Sequence, residues 1–227
     1  MKIMPIFLKT LNGLKANPET LTLASITSVW DYHREAFMRA SDQAILDQNV
    51  TRAGHSDEIV TLVENGSVDL GIITYDLPRG SRLSRQIWDK EAMVLAASNE
   101  AARKLGIADG KDHGWGLAAL DSSELRIVML EKGYGVRDKS VDPFLIEIKR
   151  KPSIFAEFDS IAQIKDTVAA YGHLITILPL PTVEKDPRLR WASLRGIAPR
   201  VVSFIWGGNP RGTVKSFLAH LKRKKTT

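Results

Sequence analysis

The chain has 227 residues, 44% of them hydrophobic and 26% charged, with a net charge of +6 and no cysteine. That is enough chain for one large or two small globular domains with a proper core, and the lack of cysteine excludes a disulfide framework, a thiolate metal site and a cysteine nucleophile. No apolar run reaches the roughly eighteen residues that span a bilayer, and four positive charges, Lys222 to Lys225, lie together in the C-terminal tail, so the basic balance is weak evidence for direct contact with nucleic acid.

In chain order, residues 1–18 read as a short helix starting near Pro5, with Ile6, Leu8, Leu11 and Leu14 apolar and Asn17-Pro18 closing it. Pro5 and Lys9 interrupt this run too early for a secretory segment, which makes a cytoplasmic address the expectation. Thr20 to Ser25 is the first strand. A helix capped by Ser28 follows, with Val29, His33, Ala36, Phe37 and Ala40 on one face, and "AILDQNVTR" is the second strand. In the next stretch, Gly54 to Ile73, Ser56 is the expected N-cap and Asp57 and Glu58 complement the helix dipole. Ile59, Leu62 and Val63 form an apolar stripe, and Asn65-Gly66 ends the helix because glycine takes the left-handed conformation without penalty. "VDLGII" then reads as a strand buried on both faces, as in parallel sheets covered by helices. The resulting β-α-β-α-β order argues for parallel pairing.

Asp89 to Ser98 is expected to be one strand and "NEAARKLG" a short helix after it. The glycine-rich segment from about Asp109 to Asp121 has the composition of a change between domains. A second series follows: strand "LRIVML", helix "SVDPFLIEI", strand "SIFAEFD", helix "SIAQIKDTVAAYG" and strand "HLITILP". "RVVSFIWGG" and "RGTVKSFLAHLKR" close the chain as a strand and a helix.

Familiar catalytic patterns are missing. The histidines at 33, 55, 113, 173 and 220 lack metal-ligand spacing, and no G-x-S-x-G elbow or S-x-x-K pair occurs. "GGNPRGT", Gly207 to Thr213, follows a strand and precedes a helix, but it has no phosphate-reaching lysine and Pro210 removes an amide. "GYGV" lacks the third glycine of a dinucleotide fingerprint. What recurs instead is small polar residues where strands hand over to helices: Ser25, Thr27 and Ser28, then His55 and Ser56, then Asp159 and Ser160. Ligands of open α/β sheets bind beyond the carboxyl ends of strands, where helix N-termini offer free amides. Arg137 adds a bidentate carboxylate contact in this reading, which favours an anionic ligand.

The blocks "LTLASITSVW", "HSDEIVTLVENGSVDLGII", "EAMVLAAS", "KGYGVRDKSVDPF", "FDSIAQIKDTVAAYGHLITILP" and "SFIWGGNPRGTVKSFLAHLKR", in that order, resemble the effector-binding domain of LysR-type transcriptional regulators. One departure is "GHLI", where Leu174 stands in place of the family's glycine. The resemblance implies an α/β protein of the type 2 periplasmic-binding-protein fold, with two Rossmann-like subdomains joined by a hinge of two crossover segments, near Ala96–Ser98 and Pro199–Val202. Subdomain I would comprise 19–96 and 201–227 and subdomain II 97–200. Residues 1–18 would be the remnant of a linker helix, and the DNA-binding helix-turn-helix domain would be absent from this chain. The resemblance further implies a small-molecule effector between the subdomains, contacted by Ser25, Thr27, Ser28, His55 and Ser56, by Ser98 near the hinge, and by Tyr134, Gly135, Arg137, Asp159 and Ser160. It implies a homodimer through the regulatory domains, a tetramer when full-length, and DNA contact only through the N-terminal domain. No cofactor, metal or catalytic residue is expected. The alternative is a solute-binding protein that delivers a ligand to a transporter, and an α/β enzyme would need a nucleophile or acid-base pair that the sequence does not offer.

Overall fold

The computed structural model describes residues 21–39, 50–105 and 119–224; the expected helix over 1–18, most of the second strand, most of the glycine-rich segment and the end of the basic tail lie outside them. The chain divides into two compact units, residues 1–87 with 203–227, and residues 88–202.

In the first unit, β1 (Leu23–Ile26), α1 (Thr27–Arg39), β2 (Val50–Ala53), α2 (Ser56–Glu64) and β3 (Leu70–Ile73) follow one another. β1 pairs in parallel with both β2 and β3, as the alternation of strand and helix predicts. β1 and β3 are buried along their whole length. α2 ends as its sequence dictates. Gly66 has φ 72°, Ser67 N–H donates to Leu62 O at 2.9 Å and Gly66 N–H to Val63 O at 3.1 Å, which together satisfy carbonyls of the last turn. Gly71 lets α2 lie close on β3, because a Cβ there would stand 2.7 Å from Ile59 Cγ2. Asp69, at the entrance of β3, accepts from Thr22 N–H at 3.0 Å and Thr22 Oγ1 at 2.8 Å, and pairs with Arg211. It is therefore a staple at the amino end of the sheet, far along the strand from the helix starts.

β4 (Ser84–Glu91) and β10 (Arg200–Trp206) complete this sheet, in the order β2-β1-β3-β10-β4, with β10 antiparallel to β3. The terminal helix, numbered α6 below (Gly212–Lys224), docks through aromatic rings: Phe37 meets Phe204, and Phe204 meets Phe217, with centroids 5.8 Å apart in both pairs. Edge-to-face ring pairs of this kind contribute about 0.5–1.5 kcal/mol beyond their buried area.

The second unit holds β5 (Met93–Ser98), α3 (Asn99–Lys104), β6 (Arg126–Leu130), α4 (Asp142–Glu147), β7 (Ile154–Phe158), α5 (Ile161–Ala170), β8 (Leu174–Pro179) and β9 (Leu189–Ser193). Its sheet runs β7-β6-β8-β5-β9, with β6 parallel to β7 and β8 and with β5 antiparallel to β8 and β9. Three expectations change here. Asp89 to Ser98 is not one strand: the chain breaks at Ala92, whose carbonyl accepts from Leu180 N–H at 2.8 Å, separating a partly exposed β4 from a fully buried β5. β9 was not foreseen, because Arg190 and Ser193 interrupt its apolar pattern on a half-exposed edge strand. The helix expected over 140–148 begins earlier, through a π turn at Arg137–Val141 in which Asp142 N–H donates to Arg137 O. Pro143 has no amide for the carbonyl four residues back, and a wider turn ahead of it accommodates that gap. Leu174, in place of the glycine, is a fully buried first residue of β8, so the turn before it closes without that glycine. Among the described residues no helix is long and apolar enough to cross a membrane, and no histidine, cysteine and carboxylate group could hold a metal ion.

Candidate functional site

Parallel pairing puts the carboxyl ends of β1, β2 and β3 at one edge of the first unit, and the starts of α1 and α2 with them. β1 runs straight into α1, so Thr27 is the first helical residue rather than a loop residue. Its Oγ1 donates to Ala53 O at 3.3 Å, tying the start of α1 to the end of β2. Ser25 lies fully buried inside β1, with its hydroxyl donating to Ile26 O at 3.1 Å. Ser28 is half-buried in the first turn of α1.

Ser56 is not the cap that its sequence position suggests. The N-cap position is His55, extended and making no side-chain cap, and Ser56 opens α2. The Ser56 hydroxyl is buried and accepts from Thr74 N–H at 3.2 Å, which fastens the start of α2 to the end of β3. A second tie runs from the Tyr75 hydroxyl to Asp57. Burial, followed by the bond to Asp57 and its charge, pushes the Tyr75 phenol above its ordinary range. Thr74 and Tyr75 are the residues that sequence reasoning missed at this edge; they occupy the kind of strand-end position that singled out Ser25 and Ser56, directly after "VDLGII" stops.

The two helix starts differ in charge. α2 carries Asp57 and Glu58 in its first turn, whereas α1 carries no acid there. The first amides of a helix have no partner within it, and an anion near them gains about 0.3–1 kcal/mol, up to about 2 when partly buried. The α1 start is thus the more favourable end for an anionic group.

In the second unit, the parallel strands β6 and β7 end next to each other, at Leu130 and Phe158. Tyr134 and Gly135 follow the first, and Asp159 and Ser160 follow the second, so the topology brings these four to one edge of the sheet. Tyr134 O accepts from Asp138 N–H at 2.9 Å, Asp159 is exposed, and Ser160 is the N-cap of α5 without a side-chain cap bond. Ser98 is not with them. β5 runs antiparallel, and pairing of Ala97 with Ile175 near the start of β8 puts Ser98 at the opposite end of the sheet. There its hydroxyl accepts from Ala101 N–H at 3.1 Å and caps α3. Ala96–Ser98 closes β5 well inside the second unit, while the division between units falls at Ile87 and Trp88.

Arg137 is 4% exposed and engaged within its own unit. Its Nη1 donates to Leu130 O at 2.7 Å and to Glu157 Oε1 at 2.5 Å, and its Nε faces Asp142 at 3.3 Å. The cavity beside it, bordered by Met129, Val136, Val141 and Ile177 among others, measures about 10 Å³, room for no more than a single water. The guanidinium that the sequence offers as an effector clamp is a brace between β6, β7 and the π turn.

Residues 19–225 match the family model described as the LysR substrate binding domain. No curated protein sequence matches the chain. Among solved structures, full-length CbnR complexed with its target DNA is 17% identical with a TM-score of 0.74, covering 97% of this chain and 78% of that one. A mutant of OxyR from Corynebacterium glutamicum is 17% identical with a TM-score of 0.70, covering 97% and 69%. The effector binding domain of QuiR in complex with shikimate is 16% identical with a TM-score of 0.64, covering 91% and 97%. At these identities the structural likeness establishes the fold, and the family rests on the model match.

Proposed function

The chain belongs to the LysR substrate binding domain family, the ligand-sensing regulatory part of LysR-type transcriptional regulators, and from that premise we propose that it senses a small carboxylate-bearing metabolite held at the strand-end edge of its first unit. The observation that carries this reading is the convergence of two helix starts, one free of acids, with the hydroxyl-bearing Ser25, Thr27, Ser28 and Ser56 at the carboxyl ends of three adjacent parallel strands. Within the second unit, Tyr134, Gly135, Asp159 and Ser160 are proposed as the ligand-facing residues of its own strand-end edge. The shikimate bound to the QuiR domain is a small polyhydroxy acid, the general class that such a mixture of amides and hydroxyls suits.

The role is sensing rather than turnover. A ligand changes the state of a regulator only through different affinities for its two states, and no acid-base pair or activated nucleophile is required. We further propose that the domain self-associates as a homodimer and that any DNA contact is made by another part of a full regulator. The family match ranks this reading above delivery of a solute to a transporter.

A thermal-shift screen of the chain against carboxylates, hydroxy acids, amino acids and inorganic anions tests the proposal. A ligand at a hundred times its dissociation constant stabilises by about 2.7 kcal/mol, a melting shift of roughly 5–10 °C for a chain of this size. Weakening of the hit by Thr27→Val and Ser28→Ala supports the assignment to the first unit. A hit that ignores both substitutions places the effector elsewhere, and sedimentation that finds only monomer at micromolar concentration removes the dimer.

A further inference from the structure

The chain passes between its two units twice, at Ile87–Trp88 within β4 and at Val202–Ser203 within β10. On each side of the division, a side-chain bond ties these two strands to each other. Within the first unit, Arg85 Nε donates to Ser203 Oγ at 2.9 Å, and its Nη1 pairs with Asp76. Within the second, Arg200 Nε donates to the Glu91 carboxylate, and each of these side chains is 1% exposed. The two ties leave unequal lengths of chain between them. β4 has Gln86, Ile87, Trp88, Asp89 and Lys90 in the interval, whereas β10 has only Val201 and Val202.

Packing follows the same asymmetry. Of the β10 interval, Val201 is half-buried and Val202 fully buried, and beyond it Ser203 to Ile205 are fully buried and pair with β3. The β4 interval is half-buried or exposed, Ile87 is 50% exposed, and β4 is the outer strand of its sheet among the described residues. Glu91 is the last residue of β4, directly before the break at Ala92 from which the fully buried β5 starts.

We propose that β4 is the compliant crossing and β10 the stiff one, and that Glu91 and Arg200 are a positioning pair that stops the compliance of β4 at the entry to β5. A buried carboxylate and guanidinium bond in a fixed direction, and separating them breaks a charge-assisted bond made in a medium of low dielectric. Strand β4 can therefore bend between Gln86 and Lys90 while Glu91 holds its register. Two apolar side chains of similar volume fill the same space without fixing that register. The pair acts on the crossing strand whatever the effector is, so the inference stands or falls apart from the proposed ligand.

Hydrogen–deuterium exchange on the whole chain tests it. In the unaltered protein, amides of residues 86–90 exchange at least tenfold faster than those of 202–205. Glu91→Gln removes one charge, and the double substitution Glu91→Leu with Arg200→Met replaces the pair by apolar volume, a change that buried ion pairs often tolerate without loss of stability. The double variant keeps the decision open if Glu91→Gln fails to fold. The expected result is exchange at least tenfold faster through residues 86–92, with β6 and β8 unchanged. Equal acceleration across β5, β6 and β8 would mark the pair as general support for the unit, and no change at 86–92 would mark it as inert at the crossing. Either result overturns the proposal, as does uniform exchange of β4 and β10 in the unaltered protein.

Discussion

The two units place polar residues at the ends of parallel strands in the same way and use them differently. In the first, Thr27 and Ser56 bond to backbone groups of neighbouring strands, the Ala53 carbonyl and the Thr74 amide, which locks the helix starts in place, and the first turn of α1 carries no acid of its own. In the second, the Arg137 guanidinium is turned inward onto Leu130, Asp142 and Glu157. A strand-end serine can brace a site without occupying it, because its single hydroxyl satisfies one backbone group. An arginine with five donors in a fixed fork, once buried, tends to be taken up by the fold.

The sharpest way to break this comparison is Arg137→Ala. Truncation removes the donor from a strand-end carbonyl and leaves Glu157 and Asp142 facing a vacated site. Loss of a buried ion pair typically costs 3–5 kcal/mol. Both carboxylates are partly exposed and regain water, which puts the expected cost near the lower end, about 3 kcal/mol, or a fall of roughly 6–12 °C in melting temperature. An unchanged melting temperature combined with lost effector binding would show that Arg137 is the clamp after all and that its bonds to Leu130, Asp142 and Glu157 do not support the fold.

Asp186 sharpens the comparison at a smaller amplitude and adds a pH signature. Its carboxylate accepts from Arg188 Nε at 2.9 Å and Nη2 at 2.8 Å and lies 3.1 Å from Lys165 Nζ, with 7% of the side chain exposed. The bonds from Arg188, ahead of those from Lys165, hold its pKa well below the usual carboxylate range against the opposing effect of burial. A carboxyl whose folded pKa is depressed contributes its full stability above the unfolded value, near 3.9, and loses it as pH falls toward the folded value. Asp186→Asn is expected to cost about 2 kcal/mol at neutral pH, the scale of charge-assisted hydrogen bonds. The gap between the two proteins should narrow only below about pH 4; a gap that closes between pH 5 and 7 would assign the effect to another group.

The parallel half of the first unit was legible because each signal there is local. A stripe at Ile59, Leu62 and Val63, a glycine at 66 and a doubly apolar "LGII" fix a helix, its end and a buried strand with no help from the rest of the chain. Where legibility failed, the deciding partner was distant. Ser56 reads as a cap until Thr74, eighteen residues on, takes its hydroxyl. Ser98 is grouped with the other strand-end residues only while β5 is assumed to run parallel, and nothing within "EAMVLAAS" reveals its antiparallel pairing with β8. Arg137 looks like a free cation until Glu157, twenty residues on, is set beside it across the β6–β7 pair. β9 stayed hidden because an edge strand needs only one apolar face, and "LRWAS" gives no clean alternation.

The smallest expected effect separates two serines that the sequence alone treats alike. Ser98 caps α3 by accepting from Ala101 N–H, whereas Ser160 holds the N-cap position of α5 in an extended conformation with no such bond. Ser98→Ala should therefore cost about 1 kcal/mol, the usual value of a lost cap, and leave effector binding untouched, because Ser98 lies at the far end of its sheet from Tyr134 and Asp159. Ser160→Ala should stay within about 0.5 kcal/mol of the unaltered protein, as a substitution that breaks no native bond does. Its consequence, if the second unit contributes to the effector site, belongs in the binding curve instead: a weaker thermal shift with the same ligand, at unchanged melting temperature without it. Equal costs for the two substitutions would mean that Ser160 caps its helix in solution, and the hydroxyl would then be no more available to a ligand than that of Ser98.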